Sequence, residues 1–338
     1  MSSQRPIFAS LTRISDLEVN PFEIQKLPRD QWDTADYVMA RVTSISNFQT
    51  RVELANGRMM EAAHGDRLVG ALGVRAATLE AVGSWQEVGD DGAMQALTGA
   101  GLMGRATSIS PYLQKLLELE YEGHVVRDGQ KIGMRDFVKP AGEFDYKIPT
   151  VLIIGTSMSS GKTTVGKVIV RQLSRSGLKV AGAKLTGAGR FRDTLAMQDA
   201  GADVIFDFVD AGLPSTVCPP QQYRDALAVV QQRLAEMAPD VVVAEAGASP
   251  LEPYSGDVLI EEIGEQVTFT VLCASDPYAV VGVTQGFGFK PDLVAGIATT
   301  TSSAVNLVEK LTGIRALNLL DPQSHPELQE LLESRLSV

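Results

Sequence analysis

Four apolar residues, Val151, Leu152, Ile153 and Ile154, run into Gly155, Thr156, Ser157, Met158, Ser159, Ser160, Gly161, Lys162, Thr163 and Thr164, and a helical pattern over 165–170 follows at once. A strand, a Gly/Ser loop ending in Gly-Lys-Thr, and a helix make up the context in which a loop can cradle phosphate. Backbone N–H groups of such a loop and the start of its helix form an anion site before any ligand arrives. Lys162 is placed to reach the outer phosphates as a point charge, and the Thr163 hydroxyl to face Mg²⁺. Gly161 lets the backbone pass close to a phosphate with no Cβ in the way. Five residues separate Gly155 from Gly161, where the common form has four, so Thr156 stands at the usual first-glycine position. A Gly/Ser turn between any strand and helix would account for the small residues, but stability alone gives no reason for a lysine there.

The rest of the chain agrees with a soluble enzyme. Its 338 residues allow two domains and a sizeable core. A net charge of −11 argues against a general nucleic-acid binder, which needs a basic stripe to neutralise phosphates. Cys218 and Cys273 are too few and too far apart for a disulfide framework or a zinc site, and fit a reducing cytoplasm. No signal-peptide pattern follows the N-terminal Met, and no stretch reaches the roughly 18 apolar residues of a membrane span.

Hydrophobic patterning divides the chain at about residue 147. Residues 1–147 read as a small, mostly β domain. Short β-like runs at 37–43 and 48–54 flank a turn, Asn56-Gly57 signals a hairpin before Arg58, and further runs cover 66–72 and 77–82. Residues 110–120 read as an amphipathic helix with Pro111 in its first turn, and 123–148 as a connection rich in Gly, Asp and Lys. From 148 to 338 strands alternate with helices. Strands are expected at 151–154, 179–185, 204–208, 241–244, 268–273, 293–298 and 316–320, with helices at 163–176, 223–237 and 302–311. Near-continuous apolar strands joined by helices predict an α/β parallel sheet covered on both faces, with ligands at the carboxyl ends of its strands.

Three sequence neighbourhoods carry chemistry at those ends. Glu245 follows four apolar residues and precedes a small-residue turn, where a carboxylate can hold Mg²⁺ opposite Thr163. Lys184 ends the second strand, expected to neighbour the 151–154 strand, and can stabilise charge on a transferred phosphoryl group or an activated carboxylate. A glycine-rich loop follows it, with Arg190 and Arg192 suited to carboxylate or phosphate and Asp193 as a further Mg²⁺ ligand. Asp276, after the 268–273 strand, is a weaker substrate-binding candidate. His64, His124 and His325 lack metal-ligand spacing.

The 149–320 region resembles the dethiobiotin synthetase and cobyrinic-acid amidating group of P-loop enzymes. In that group the loop has this same longer spacing, a lysine at the second strand end corresponds to Lys184, a downstream aspartate to Asp193, and a Val-Val-x-Glu-x-Gly strand end to Glu245 and Gly247. The resemblance implies an enzyme that uses ATP and Mg²⁺ to phosphorylate a small carboxylate for attack by an amine, acting as a homodimer. Lys162, Thr163 and Glu245 would then handle ATP–Mg²⁺, and Lys184 with Arg190 or Arg192 would face the substrate. The two-domain layout is similar to that of a P-loop family that includes annotated D-glutamate N-acetyltransferases. It implies the alternative that acetyl-CoA is the loop's ligand. A nucleotide-dependent switch or metallochaperone NTPase is a third reading. The absence of an Asn-Lys-x-Asp base-reading motif favours ATP over GTP.

Overall fold

The computed structural model describes residues 5–44, 51–113, 115–247 and 249–336. Its chain divides into two compact units. The first comprises 1–140 with the short segments 188–192 and 208–217; the second comprises 141–187, 193–207 and 218–338. No helix among the described residues is long and apolar enough to cross a membrane.

The first unit is built from strands β1 (Ile7–Phe8), β2 (Glu23–Gln25), β3 (Tyr37–Ser44), β4 (Arg51–Glu53), β5 (Met59–Glu61), β6 (Arg67–Leu72), β7 (Val74–Ala76), β8 (Ala81–Ser84), β9 (Ala93–Ala96), β10 (Leu102–Ile109), β11 (Leu117–Arg127) and β12 (Gln130–Lys131). Antiparallel pairings run β6-β3-β11-β9-β10, and a parallel pairing of β10 with β6 closes the ring. Closure leaves these strands no free edge. It depends on a close backbone approach, because a Cβ on Gly70 would lie 2.2 Å from the Gly101 carbonyl oxygen. Val38, Leu68, Met94, Met103, Leu119 and Tyr121 fill its core. Asn56-Gly57 does form a hairpin, joining β4 to β5 with Gly57 at φ 81°.

Several expectations for this unit are corrected. Residues 111–113 form a turn and residues 117–120 begin β11, so the described residues of 110–120 form strand and turn where a helix is expected. Leu117, Leu119 and Tyr121 alternate inward against outward Glu118 and Glu120, a period of two; the leucines of the segment merely also fit helical spacing. The strand continues through Arg127 and pairs with β12 across a turn, so 123–131 is a β-hairpin and not connection. The run 77–82 splits into a turn and the start of β8. Of the run 48–54, residues 51–53 form β4 and residues 48–50 lie outside the described residues.

The second unit is the expected α/β fold. Six strands, β13 (Thr150–Gly155), β14 (Val180–Thr186), β15 (Val204–Asp207), β16 (Val241–Ala246), β17 (Val267–Cys273) and β18 (Leu293–Ala295), pair in parallel in the order β15-β14-β16-β13-β17-β18. The helices are α1 (Lys162–Arg175), α2 (Phe191–Asp199), α3 (Pro220–Met237), α4 (Gly256–Ile263), α5 (Pro277–Phe287), α6 (Ser302–Thr312) and α7 (His325–Leu336). Val151, Ile153, Val241, Val243 and Phe269 pack with Val165, Ile169 and Leu173 of α1 and Leu328 and Leu332 of α7. The alternate residues Leu152, Ile154, Val242 and Ala244 are equally buried toward the other face, where the Tyr223 hydroxyl of α3 donates to the Leu185 carbonyl. Both faces being covered, the strands read as unbroken apolar runs.

Two details differ from the sequence reading. β14 does not neighbour β13: β16 lies between them. The strands are alike in hydrophobicity, so nothing local specifies their order. The run 316–320 is no strand, contributing only an isolated bridge from Ala316 to Val294.

Candidate functional site

The loop leaves β13 at Gly155 and enters α1 at Lys162. Thr156, at the non-standard position, ties the loop to the next strand: its N–H donates to the Cys273 carbonyl at 2.9 Å and its hydroxyl accepts from the Ser275 N–H at 3.1 Å. The additional residue therefore anchors the loop. Gly161 caps α1 at φ 100°, a conformation that favours glycine. The Ser160 hydroxyl donates to the Ser157 carbonyl at 3.0 Å, closing the loop on itself.

Lys162 is 3% exposed, and its Nζ donates to the Ser157 carbonyl at 2.7 Å. It fills the space in front of Gly155, where a Cβ would lie 2.6 Å from Nζ. Thr163 Oγ1 donates to Glu245 Oε2 at 3.0 Å. Strand register sets Glu245 beside Ile153 of β13 on one side and Lys184 of β14 on the other. Lys184 Nζ in turn stands 2.5 Å from Asp193 Oδ2. The fold thus gathers Lys162, Thr163, Glu245, Lys184 and Asp193 at the carboxyl ends of β13, β16 and β14.

Four of these groups are charged and buried or nearly so, and their charges act on one another. Burial lowers the Lys162 pKa below the ordinary lysine value, against the pull of Glu245. Burial alone would also lower Lys184, but Asp193 first and Glu245 second outweigh it and hold the ammonium above its usual value. Glu245 is raised, by burial above all and then by repulsion from Asp193; Lys184, Lys162 and the Thr163 hydroxyl offset this only in part. Shifted lysines and a carboxylate converging at strand ends mark a candidate functional site. Cys273, buried beside them, has its thiol pushed up to about 12 by burial and is a packing residue.

The donor set fits Mg²⁺. Thr163 and Glu245 offer hard oxygens already in contact with each other. Among the described residues no three His, Cys, Asp or Glu side chains converge to hold a metal by themselves. A cation held by one or two protein oxygens with ligand phosphates supplying others is the usual Mg²⁺ arrangement.

The remaining candidates have their own local settings. Asp276 caps α5, accepting from the N–H groups of Tyr278 and Ala279 at 2.9 and 3.0 Å. Arg190 and Arg192 are exposed and are counted with the first unit. Arg192 and Asp193 lie in the first turn of α2 and not in a loop. That helix start has a distant cap: buried Glu53 accepts from the Phe191 and Arg192 N–H groups at 2.8 and 2.9 Å and from the Ser10 hydroxyl.

Sequence reasoning missed Gly296, at the end of β18. It turns at φ 85° behind the loop, and a Cβ there would lie 2.3 Å from the Ser160 carbonyl oxygen. Its neighbour Ile297 donates to that oxygen at 3.3 Å. Gly296→Ala is therefore expected to cost about 1–3 kcal/mol in thermal unfolding, from backbone strain and the displaced loop. Gly288→Ala is the control: it has a positive φ of 68° but no neighbour within 4 Å, and should cost less.

No family model matches the chain, and neither does any curated protein. Among solved structures it is similar to chloroplast FtsY of Physcomitrella patens, at 15% identity and a TM-score of 0.37, over 56% of this chain and 66% of that one. The hydrogenase maturation factor HypB of Archaeoglobus fulgidus is similar at 15% identity and a TM-score of 0.39, over 56% and 91% of the two chains. A DUF1611 family protein of Anabaena variabilis is similar at 15% identity and a TM-score of 0.40, over 60% and 63%. This chain thus spans slightly less than two thirds of the FtsY and DUF1611 chains.

Proposed function

We propose that the chain binds a magnesium–nucleoside triphosphate on the loop 155–164 and transfers its terminal phosphoryl group, with ATP as the nucleotide and a small carboxylate as acceptor. The observation that carries the nucleotide reading is the contact between Thr163 and buried Glu245 at the start of α1, directly after Lys162. Loop N–H groups and the helix N-terminus would receive the phosphates. Lys162 would exchange its bond to the Ser157 carbonyl for a charge-assisted one to phosphate. Thr163 and Glu245 would hold Mg²⁺, which when bound neutralises phosphate charge.

Lys184 supports the acceptor half of the reading. It is a second buried lysine, beside Glu245, and a nucleotide grip centred on Lys162 has no need of it. As a fixed cation it would hold an acceptor carboxylate. A carboxylate oxygen would attack the γ-phosphorus, the bond from that phosphorus to the β–γ bridging oxygen would break, and ADP would leave with the electron pair. Arg190, Arg192 and Asp276 are further substrate candidates. In this reading the chain is a cytoplasmic homodimer acting on small molecules.

ADP release from ATP–Mg²⁺, measured with and without a pool of small carboxylates and amino acids, tests it. Pool-dependent release supports carboxylate activation. Slow release indifferent to the pool points to a switch-type NTPase. No release, with CoA freed from acetyl-CoA instead, turns the loop's ligand into acetyl-CoA.

A further inference from the structure

The Lys184–Asp193 pair sits where two of the proposed roles collide. Lys184, with its side chain 7% exposed, has its Nζ 2.5 Å from Asp193 Oδ2. Its register neighbour Glu245 accepts from Thr163. Glu245 and Asp193 repel each other, with Lys184 offsetting both. An ammonium at 2.5 Å occupies the lone pairs that a divalent cation would need, and it repels that cation. While Lys184 holds Asp193, the proposed cation site draws on Thr163 and Glu245.

We infer that the Lys184–Asp193 ion pair is a latch on the cation site: an acceptor carboxylate that pairs with Lys184 releases Asp193 to join Thr163 and Glu245 as a cation ligand. The inference rests on the proposed reading of Thr163 and Glu245 as cation ligands. Its consequence is positive cooperativity between acceptor and metal–nucleotide, equal in both directions because coupling between binding sites is reciprocal. The site then assembles its full set of oxygens only when the acceptor is present, which disfavours transfer to water. A coupling of ordinary size is worth about 5- to 150-fold in affinity.

Mn²⁺ alone serves as the probe, titrated into the full chain without nucleotide and followed by the EPR signal of the free ion. Lys184→Met keeps the side-chain volume and removes the charge; Lys184→Gln removes it while retaining polarity, in case the first variant folds poorly. Both are expected to bind Mn²⁺ about 5- to 150-fold more tightly than wild type. Bound Mn²⁺ in Lys184→Met should carry one water fewer than in Lys184→Met/Asp193→Asn, read by line broadening in ¹⁷O-enriched water. Unchanged affinity in both single variants would overturn the latch. So would equal water counts in the single and double variants, since the tightening would then reflect lost positive charge alone. If no variant binds Mn²⁺ even with a non-hydrolysable ATP analogue present, the reading of Thr163 and Glu245 falls and the latch with it. If wild type binds Mn²⁺ with the analogue and the Lys184 variants show no tightening, the latch alone falls.

Discussion

Lys162→Met is expected to reduce nucleotide-dependent turnover on the order of 10²–10³-fold, the usual effect of removing one preorganised charge-stabilising donor. Methionine keeps most of the volume that Lys162 places against Gly155, so the loop retains its packing. What is lost is the ammonium. Because Lys162 is 3% exposed and its pKa is lowered by burial, the folded chain carries that charge at a cost. The variant should therefore unfold at a temperature no lower than wild type while losing turnover. A steady-state assay of ADP release beside a thermal scan separates the two effects. A parallel fall in both would make Lys162 a structural residue.

Glu245→Gln is the second large effect. Glutamine preserves an oxygen that can accept from Thr163 Oγ1 but removes the carboxylate charge. Divalent-dependent turnover should drop about 10²-fold or more, with the Mg²⁺ concentration for half-maximal rate moved upward. The stability consequence has the opposite sign. Burial raises the Glu245 pKa in the folded chain, so the folded state holds this proton more tightly than the unfolded one. The associated stability is present below the unfolded value of about 4.3 and is lost as pH rises through the higher folded value. Ligand-free Glu245→Gln should lack that loss, and near neutral pH it should melt no lower than wild type. A melting curve recorded across pH would show the difference as a flatter profile just above pH 4.3.

The second unit was legible because its signals are local. An apolar strand, a Gly-Lys-Thr turn and a helical pattern stand next to one another in the chain, and Glu245 follows its strand directly. Strand order was not legible: β13, β14, β16 and β17 are all buried runs, and the insertion of β16 between β13 and β14 is a tertiary fact. That insertion is also what brings Glu245 between Thr163 and Lys184. The start of α2 was hidden for a similar reason, since its cap is supplied by Glu53, 138 residues away from Phe191. Gly296 gave no signal because its demand arises from the Ser160 carbonyl behind it. In the first unit, the leucines of 110–120 satisfy both periods, so the start of β11 reads as helix, and the ring closure at Gly70 and Gly101 leaves no mark that a local pattern could reveal.

Calorimetric titration of ATP into the full chain, with and without Mg²⁺ and repeated with Lys162→Met, tests the central claim most directly. The site described here predicts saturable binding by wild type that strengthens with Mg²⁺ and is lost or greatly weakened in the variant. Absence of binding by ATP and by GTP, or binding indifferent to both Mg²⁺ and Lys162, would contradict it.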